Sequence, residues 1–231
     1  MRKWTILIIH SFLICLAGCS KLDNYEAPNG TLFGNIIDSV TKQPILTEQP
    51  NGIQIRYIEQ NYINPKVSVQ NFFVKDNGTY ERAMLFAATY KVIPVEGAFF
   101  PVTDTALVTI NENGRTELNF TVTPYLNLTA NARADGNNII VTYNITRPRA
   151  ADKIIERKAL VSVVPTVNNT TWFKNVTTST SSITDNVILS TTYNDTIKSL
   201  ASGTYYVRAA ARTGNAYNKF NYSSVATISI P

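Results

Sequence analysis

Gly203-Thr204-Tyr205-Tyr206-Val207-Arg208-Ala209-Ala210-Ala211-Arg212 decides the fold class. Tyr205, Val207, Ala209 and Ala211 fall on one side of an extended chain, and Tyr206, Arg208 and Arg212 on the other. Successive side chains of a strand point to opposite faces, so this period of two reads as a strand with one apolar face. The same alternation recurs in Ile139, Val141, Tyr143 and Ile145, and in Ile53, Ile55 and Tyr57. Long helical patterns are absent. Short alternating runs bounded by turn residues predict an all-β protein.

Working outward, the runs form two series. Before Pro124, strands are predicted at Leu32–Ile37, Ile53–Tyr57, Val69–Val74, Thr89–Pro94, Ala106–Ile110 and Leu118–Val122. Asp76-Asn77-Gly78 and Asn113-Gly114 turn the chain between them. After Pro124, strands are predicted at Tyr125–Thr129, Ile139–Ile145, Ile154–Val164, Thr170–Val176, Val187–Tyr193, Asp195–Leu200, Gly203–Arg212 and Val225–Ile230, with Asp135-Gly136 as a hairpin turn. The expected organisation is two consecutive β-sandwich domains, residues 30–124 and 125–231, each near the usual domain size.

The amino terminus carries an address. Arg2 and Lys3 precede an apolar run from Trp4 to Leu16, which reads as a secretory signal over residues 1–18. Leu16-Ala17-Gly18-Cys19 resembles the lipobox of bacterial lipoproteins. That resemblance implies cleavage before Cys19, lipidation of its thiol, and membrane attachment through lipid with residues 19–29 as a tether.

Composition excludes several chemistries. The only histidine, His10, and one of the two cysteines, Cys15, lie in the signal. A processed chain would have no Ser-His-Asp or Cys-His catalysis and no zinc site of the His/Cys type. No disulfide could form within it, so stability must come from apolar burial. The net charge of +5 includes Arg2 and Lys3. The remaining basic residues are scattered, which argues against nucleic acid as a partner. Only Arg147-Pro148-Arg149 with Lys153, Arg157 and Lys158 concentrates positive charge, for an acidic glycan, lipid headgroups or a solvated sheet face. Neither Glu48 with Glu59 nor Glu96 with Asp104 stands in a glycosidase motif. Asp135-Gly136-Asn137-Asn138 is too thin for calcium. No metal, no cofactor and no enzymatic activity are expected.

Three resemblances extend this reading. Gly34-Asn35-Ile36-Ile37-Asp38-Ser39-Val40-Thr41-Lys42-Gln43-Pro44-Ile45, with Asp76-Asn77-Gly78-Thr79-Tyr80 and Ala88–Val92, resembles the transthyretin-like, or carboxypeptidase regulatory-like, sandwich. Asp38 and Thr41 can bond turn backbone there. Leu200-Ala201-Ser202-Gly203-Thr204-Tyr205 resembles a fibronectin type III or immunoglobulin-like domain, with Tyr205 as its tyrosine corner. The segments Lys21–Asn29, Glu48-Gln49-Pro50-Asn51-Gly52 and Gly97-Ala98-Phe99-Phe100-Pro101-Val102 resemble Bacteroidetes lipoproteins of the DUF3823 type. That likeness implies an outer-membrane glycan-uptake system, and Ser20-Lys21-Leu22-Asp23 partly resembles the short charged signal that sends such lipoproteins to the cell surface. A polysaccharide, an outer-membrane transporter or another surface lipoprotein would then be the partner.

Three aromatic segments are candidate ligand sites, each weighed against burial. They are Trp172-Phe173 with Asn168, Asn169 and Asn175; Tyr217, Phe220 and Tyr222 in the last hairpin; and Phe99-Phe100. An exposed ring offers a sugar a flat apolar face, while neighbouring asparagines supply donors and acceptors to hydroxyls. Two function classes stay open: a non-catalytic glycan-binding lipoprotein, or an assembly or adhesion element that binds protein. Coplanar exposed rings favour the first, and a broad apolar patch without them favours the second.

Overall fold

The computed structural model describes residues 26–61, 68–150 and 152–231. Cys19 and the signal lie outside the described residues. The first sandwich comprises β1 (Gly30–Asp38), β2 (Gln54–Glu59), β3 (Gln70–Phe73), β4 (Thr79–Leu85), β5 (Ala88–Val95), β6 (Ala106–Ile110), β7 (Arg115–Glu117) and β8 (Phe120–Val122). One sheet runs β4-β1-β7, with β8 beside the far end of β1, and the other runs β3-β2-β5-β6. Leu32, Ile36, Ile55, Tyr57, Tyr80, Tyr90 and Val92 fill the space between them.

The predicted strand Leu118–Val122 starts later, at Phe120, and a separate strand precedes it at Arg115–Glu117. Both pair in parallel with β1. Between them the Leu118 amide still donates to the Phe33 carbonyl. The backbone passes so close that a Cβ on Gly34 would lie 1.9 Å from the Leu118 carbonyl oxygen. Gly34 is therefore needed for close approach. The turn after β1 forms as its residues dictate, with the Asp38 carboxylate accepting from the Val40 amide at 2.7 Å.

The second sandwich comprises β9 (Asn127–Asp135), β10 (Asn138–Thr146), β11 (Ile154–Ser162), β12 (Lys174–Ser179), α1 (Asp185–Ser190), β13 (Tyr193–Ile197), β14 (Gly203–Thr213), β15 (Asn221–Tyr222) and β16 (Ala226–Ile230). Its sheets run β13-β10-β9 and β12-β11-β14, with β15 and β16 both pairing with β14. Three strands facing four, in this order, is the fibronectin and immunoglobulin arrangement. β9 and β10 join through Gly136-Asn137, with positive φ at Gly136 alone, the pattern of a type II′ turn.

Val187–Tyr193, expected as a strand, instead begins in a helix. In α1 Ile188 turns into the core, while Asp185 accepts from Arg147 at 2.8 Å and from the Ile154 amide at 3.2 Å. These bonds hold a short helix whose own propensity is weak.

Leu200 and Tyr205 form the expected corner, with the Tyr205 hydroxyl donating to the Ala201 carbonyl at 3.0 Å. Tyr205→Phe removes this bond and leaves its partner unpaired. It should lower unfolding free energy by about 1 kcal/mol, measured by urea denaturation. No change would mean the corner contributes only its ring.

Candidate functional site

The hairpin joining β11 to β12 presents two adjacent aromatic rings to solvent. Val161 stands opposite Lys174, and the Phe173 amide donates to the Val161 carbonyl at 2.7 Å. Asn168 shapes the loop, its side-chain oxygen accepting from the amides of Thr170 and Thr171 at 2.8 and 2.9 Å. Its amide group reaches across to the Gln49 carbonyl of the first sandwich at 3.0 Å. The loop is thereby pinned at both ends, and pinning lowers the ordering cost of binding.

Trp172 and Phe173 emerge from this loop about half exposed, at 49% and 51%. They line a groove of about 440 Å³ with Lys174, Asn175, Val176, Thr196, Ile197 and Lys198. Lys174 ties the walls together, donating to the carbonyls of Lys198 and Ser199 at 3.1 and 2.7 Å. Phe173 lies near-parallel to Tyr205, with centroids 6.5 Å apart. Among the described residues no ring or cation stacks on the Trp172 indole. Trp172 is therefore not the buried tryptophan of the sandwich core. Of the three asparagines expected beside it, only Asn175 lines the groove. Asn168 holds the loop, and Asn169 accepts from the Lys158 ammonium at 2.7 Å.

Phe220 and Tyr222, candidate ligand rings of the last hairpin, are buried at 4% and 5%. They pack with Leu160, Val167 and Ala210 on the outer face of β11 and β14, and Leu46 from the first sandwich packs against that cluster. No sugar can stack on them. Tyr222 donates to the Glu48 carboxylate at 2.6 Å and accepts from the Asn169 amide at 3.1 Å. The Arg208 guanidinium covers its ring at 4.1 Å.

Arg208, which alternation alone places on an outward face, is 3% exposed. It donates to Ser223 and Val167 carbonyls, each at 3.1 Å, and to the Thr47 carbonyl at 3.4 Å. Burial lowers its pKa to about 10, so it remains charged at neutral pH. Asn221 adds a second tie, donating to the Ala98 carbonyl at 2.8 Å and accepting from the Leu126 amide at 3.1 Å. Lys219 donates to the Asn51 carbonyl. The segment Thr47–Asn51 is thus what the second sandwich grips. A run of polar residues gave no sign of this, because docking engages the backbone carbonyls of Thr47, Gln49 and Asn51 and, of its side chains, the Glu48 carboxylate.

Glu48 carries a pH consequence. Burial raises its carboxyl above the ordinary range, outweighing the Tyr222 hydrogen bond and the charges of Lys219, Arg208 and Lys158. A raised folded pKa means the folded state binds the proton more tightly. The stabilisation is present below the unfolded value of about 4.5 and is lost as pH rises through the folded value. Glu48→Gln keeps an acceptor for Tyr222 without the charge. Its melting temperature at about pH 7 should equal or exceed the native one, with a flatter profile down to about pH 4. A drop at neutral pH that disappears in acid would show that ionised Glu48 stabilises the interface.

Phe99 is also buried, in the first core, and a Cβ on Gly97 would strike its ring at 2.0 Å. It is no platform. Phe100 lines a crevice of about 240 Å³ with Asp104, Thr121, Thr123 and Arg149. The Arg149 guanidinium occupies a face of its ring at 3.6 Å, and Tyr125 tilts against it at 4.8 Å. Tyr217 stays about half exposed.

The basic concentration is largely spent internally. Arg157 reaches Asp195 at 2.6 Å and the Tyr143 hydroxyl at 2.5 Å, and Lys158 pairs with Glu156 at 3.2 Å. Among the described residues no group of acidic, His or Cys side chains could hold a metal, and no helix is long and apolar enough to cross a membrane.

Residues 30–123 match the family described as protein of unknown function (DUF3823) N-terminal domain. No curated protein matches the chain. Solved structures that it resembles include a DUF3823 family protein from Bacteroides uniformis, at 22% identity and TM-score 0.73, covering 88% of this chain and 100% of that one. A DUF3823 family protein from Parabacteroides merdae matches at 20% identity and TM-score 0.73, with the same coverages. A second Bacteroides uniformis protein, described as a candidate carbohydrate binding protein, matches at 22% identity and TM-score 0.72, again covering 88% and 100%. At these identities the likeness establishes a fold common to both sandwiches.

Proposed function

We propose that this chain, whose residues 30–123 match a DUF3823 N-terminal domain, is a non-catalytic surface lipoprotein that binds carbohydrate in the Trp172–Phe173 groove. The observation that carries this reading is an uncovered indole beside a second exposed ring, in a groove walled by Asn175, Thr196 and two lysines. The indole face accepts the C–H face of a sugar ring, and the amide and hydroxyl groups around it match sugar hydroxyls. One structural relative is described as a candidate carbohydrate binding protein, which supports the same reading by fold analogy alone. Lipid attachment at Cys19 would hold the two sandwiches at the outer membrane, facing the cell surface beside a transporter or another lipoprotein.

The test is retention of residues 26–231 in native gels cast with neutral polysaccharides (starch, pullulan, mannan, xylan, mixed-linkage β-glucan, galactan) and with acidic polygalacturonate. Retardation by at least one is expected. A second reading, protein docking, draws on Val163 and Val164, which are also exposed in the same hairpin. Absence of retardation in every gel, with capture of a membrane protein partner through this hairpin, would replace the first reading with the second.

A further inference from the structure

The groove opens onto an unusual sheet face. The inward side chains of β10 and β13, Ile139, Val141, Tyr143, Asp195 and Ile197, are buried. The outward ones therefore form rows across β13, β10 and β9. Thr196, Ile140 and Arg133 make one row, and Asn194, Thr142 and Asn131 make the next. Asn144 and Thr129 continue into a third, where the Asn144 amide donates to the Thr192 hydroxyl at 2.9 Å. Three rows two residues apart span about 14 Å along the strands.

This face carries few charges, and the exposed Lys198 stands where it joins the groove. Its Arg133 lies 3.8 Å from Asp135 at one corner. The exposed strands of the first sandwich differ, carrying Glu81, Arg82, Lys91, Arg115 and Glu117. Solvent contact alone thus does not require such an array of Asn and Thr. The amides are also oriented. Thr142 donates to the Asn194 side-chain oxygen at 2.6 Å, leaving the Asn194 N–H groups outward. Asn144 donates to Thr192, leaving its oxygen as an acceptor. Donors and acceptors held in place bind hydroxyls at reduced ordering cost. Thr196 belongs both to the first row and to the groove wall, so the two surfaces are continuous.

We infer that the outer face of β9, β10 and β13 is an extension of the groove, and that its ligand is an extended neutral polysaccharide chain rather than a short or acidic sugar. This inference rests on the groove being a carbohydrate site. The ring at Trp172 anchors one unit, and the Asn and Thr rows take the hydroxyls of those that follow.

The experiment uses the full chain in detergent, the same panel of polysaccharides, and fragments of one to eight units made from each. Affinity should rise at least tenfold between two and six units of a retained neutral glycan. Asn131→Ala with Asn144→Ala, both on the solvent side, should remove that gain while leaving the two-unit affinity and the melting temperature unchanged. Equal affinity for two and six units, or a full gain in the double variant, overturns the extension and leaves the groove standing. Preference for polygalacturonate over every neutral glycan overturns the neutral class. Failure to bind any member of the panel overturns both the extension and the groove.

Discussion

Arg208→Ala should destabilise the protein by about 3 kcal/mol or more. Removing the guanidinium takes the donor from the carbonyls of Thr47, Val167 and Ser223 at once. Each buried polar group left unpaired costs roughly 1–3 kcal/mol. The change also strips a cation from beside the raised Glu48 carboxyl and uncovers the Tyr222 ring. Lysine should restore little, since an ammonium cannot reproduce the planar fork. For a chain of this length the loss corresponds to a fall in melting temperature of about 10 °C. Arg115→Ala is the matched control. Its pair with Glu81 is largely exposed, and such pairs contribute about 0–1 kcal/mol. Urea denaturation checks both. A cost below about 1 kcal/mol for Arg208→Ala would mean that the Thr47–Asn51 segment is not gripped in solution. The same result bears on the residues as separate folding units: fragments 30–124 and 125–231 each contain a core, but either one alone exposes half of this interface.

Trp172→Ala should weaken glycan binding by about 30-fold. Covering roughly 80 Å² of indole face at about 25 cal/mol/Å² is worth about 2 kcal/mol. Phe173→Ala should cost less, because that ring already lies beside Tyr205 and Lys174. Tyr217→Ala should have no effect, as Tyr217 does not line the groove. Titration calorimetry with a retained glycan reads all three. A Tyr217 effect larger than the Trp172 effect would move the site to the last hairpin.

What was legible in the sequence follows from the kind of interaction involved. Strand periodicity, the Asp38 turn and the Tyr205 corner depend on residues close in sequence, and each formed as expected. The break before Phe120 and the α1 helix depend on partners far away, namely the backbone near Gly34 and the side chain of Arg147. No local pattern encodes those. The candidate aromatics separate for the same reason. Period-two reading assigns Tyr206 and Arg208 to an outer face, but cannot say that a segment from the other sandwich covers it. Phe220 and Tyr222 were lost to that interface. Trp172 stayed open because Asn168 pins the loop to Gln49 while the indole is left outside the contact.

The central claim is that sugar occupies the groove at Trp172, and the fluorescence of that indole tests it most directly. Trp172 is the only tryptophan in residues 26–231, so any signal from that fragment reports on one place. Titration with a glycan that retards the protein should shift or quench the emission along a saturable curve, with the same affinity that calorimetry gives. Saturable binding by calorimetry with an unchanged indole spectrum would contradict the claim and put the ligand elsewhere on the molecule.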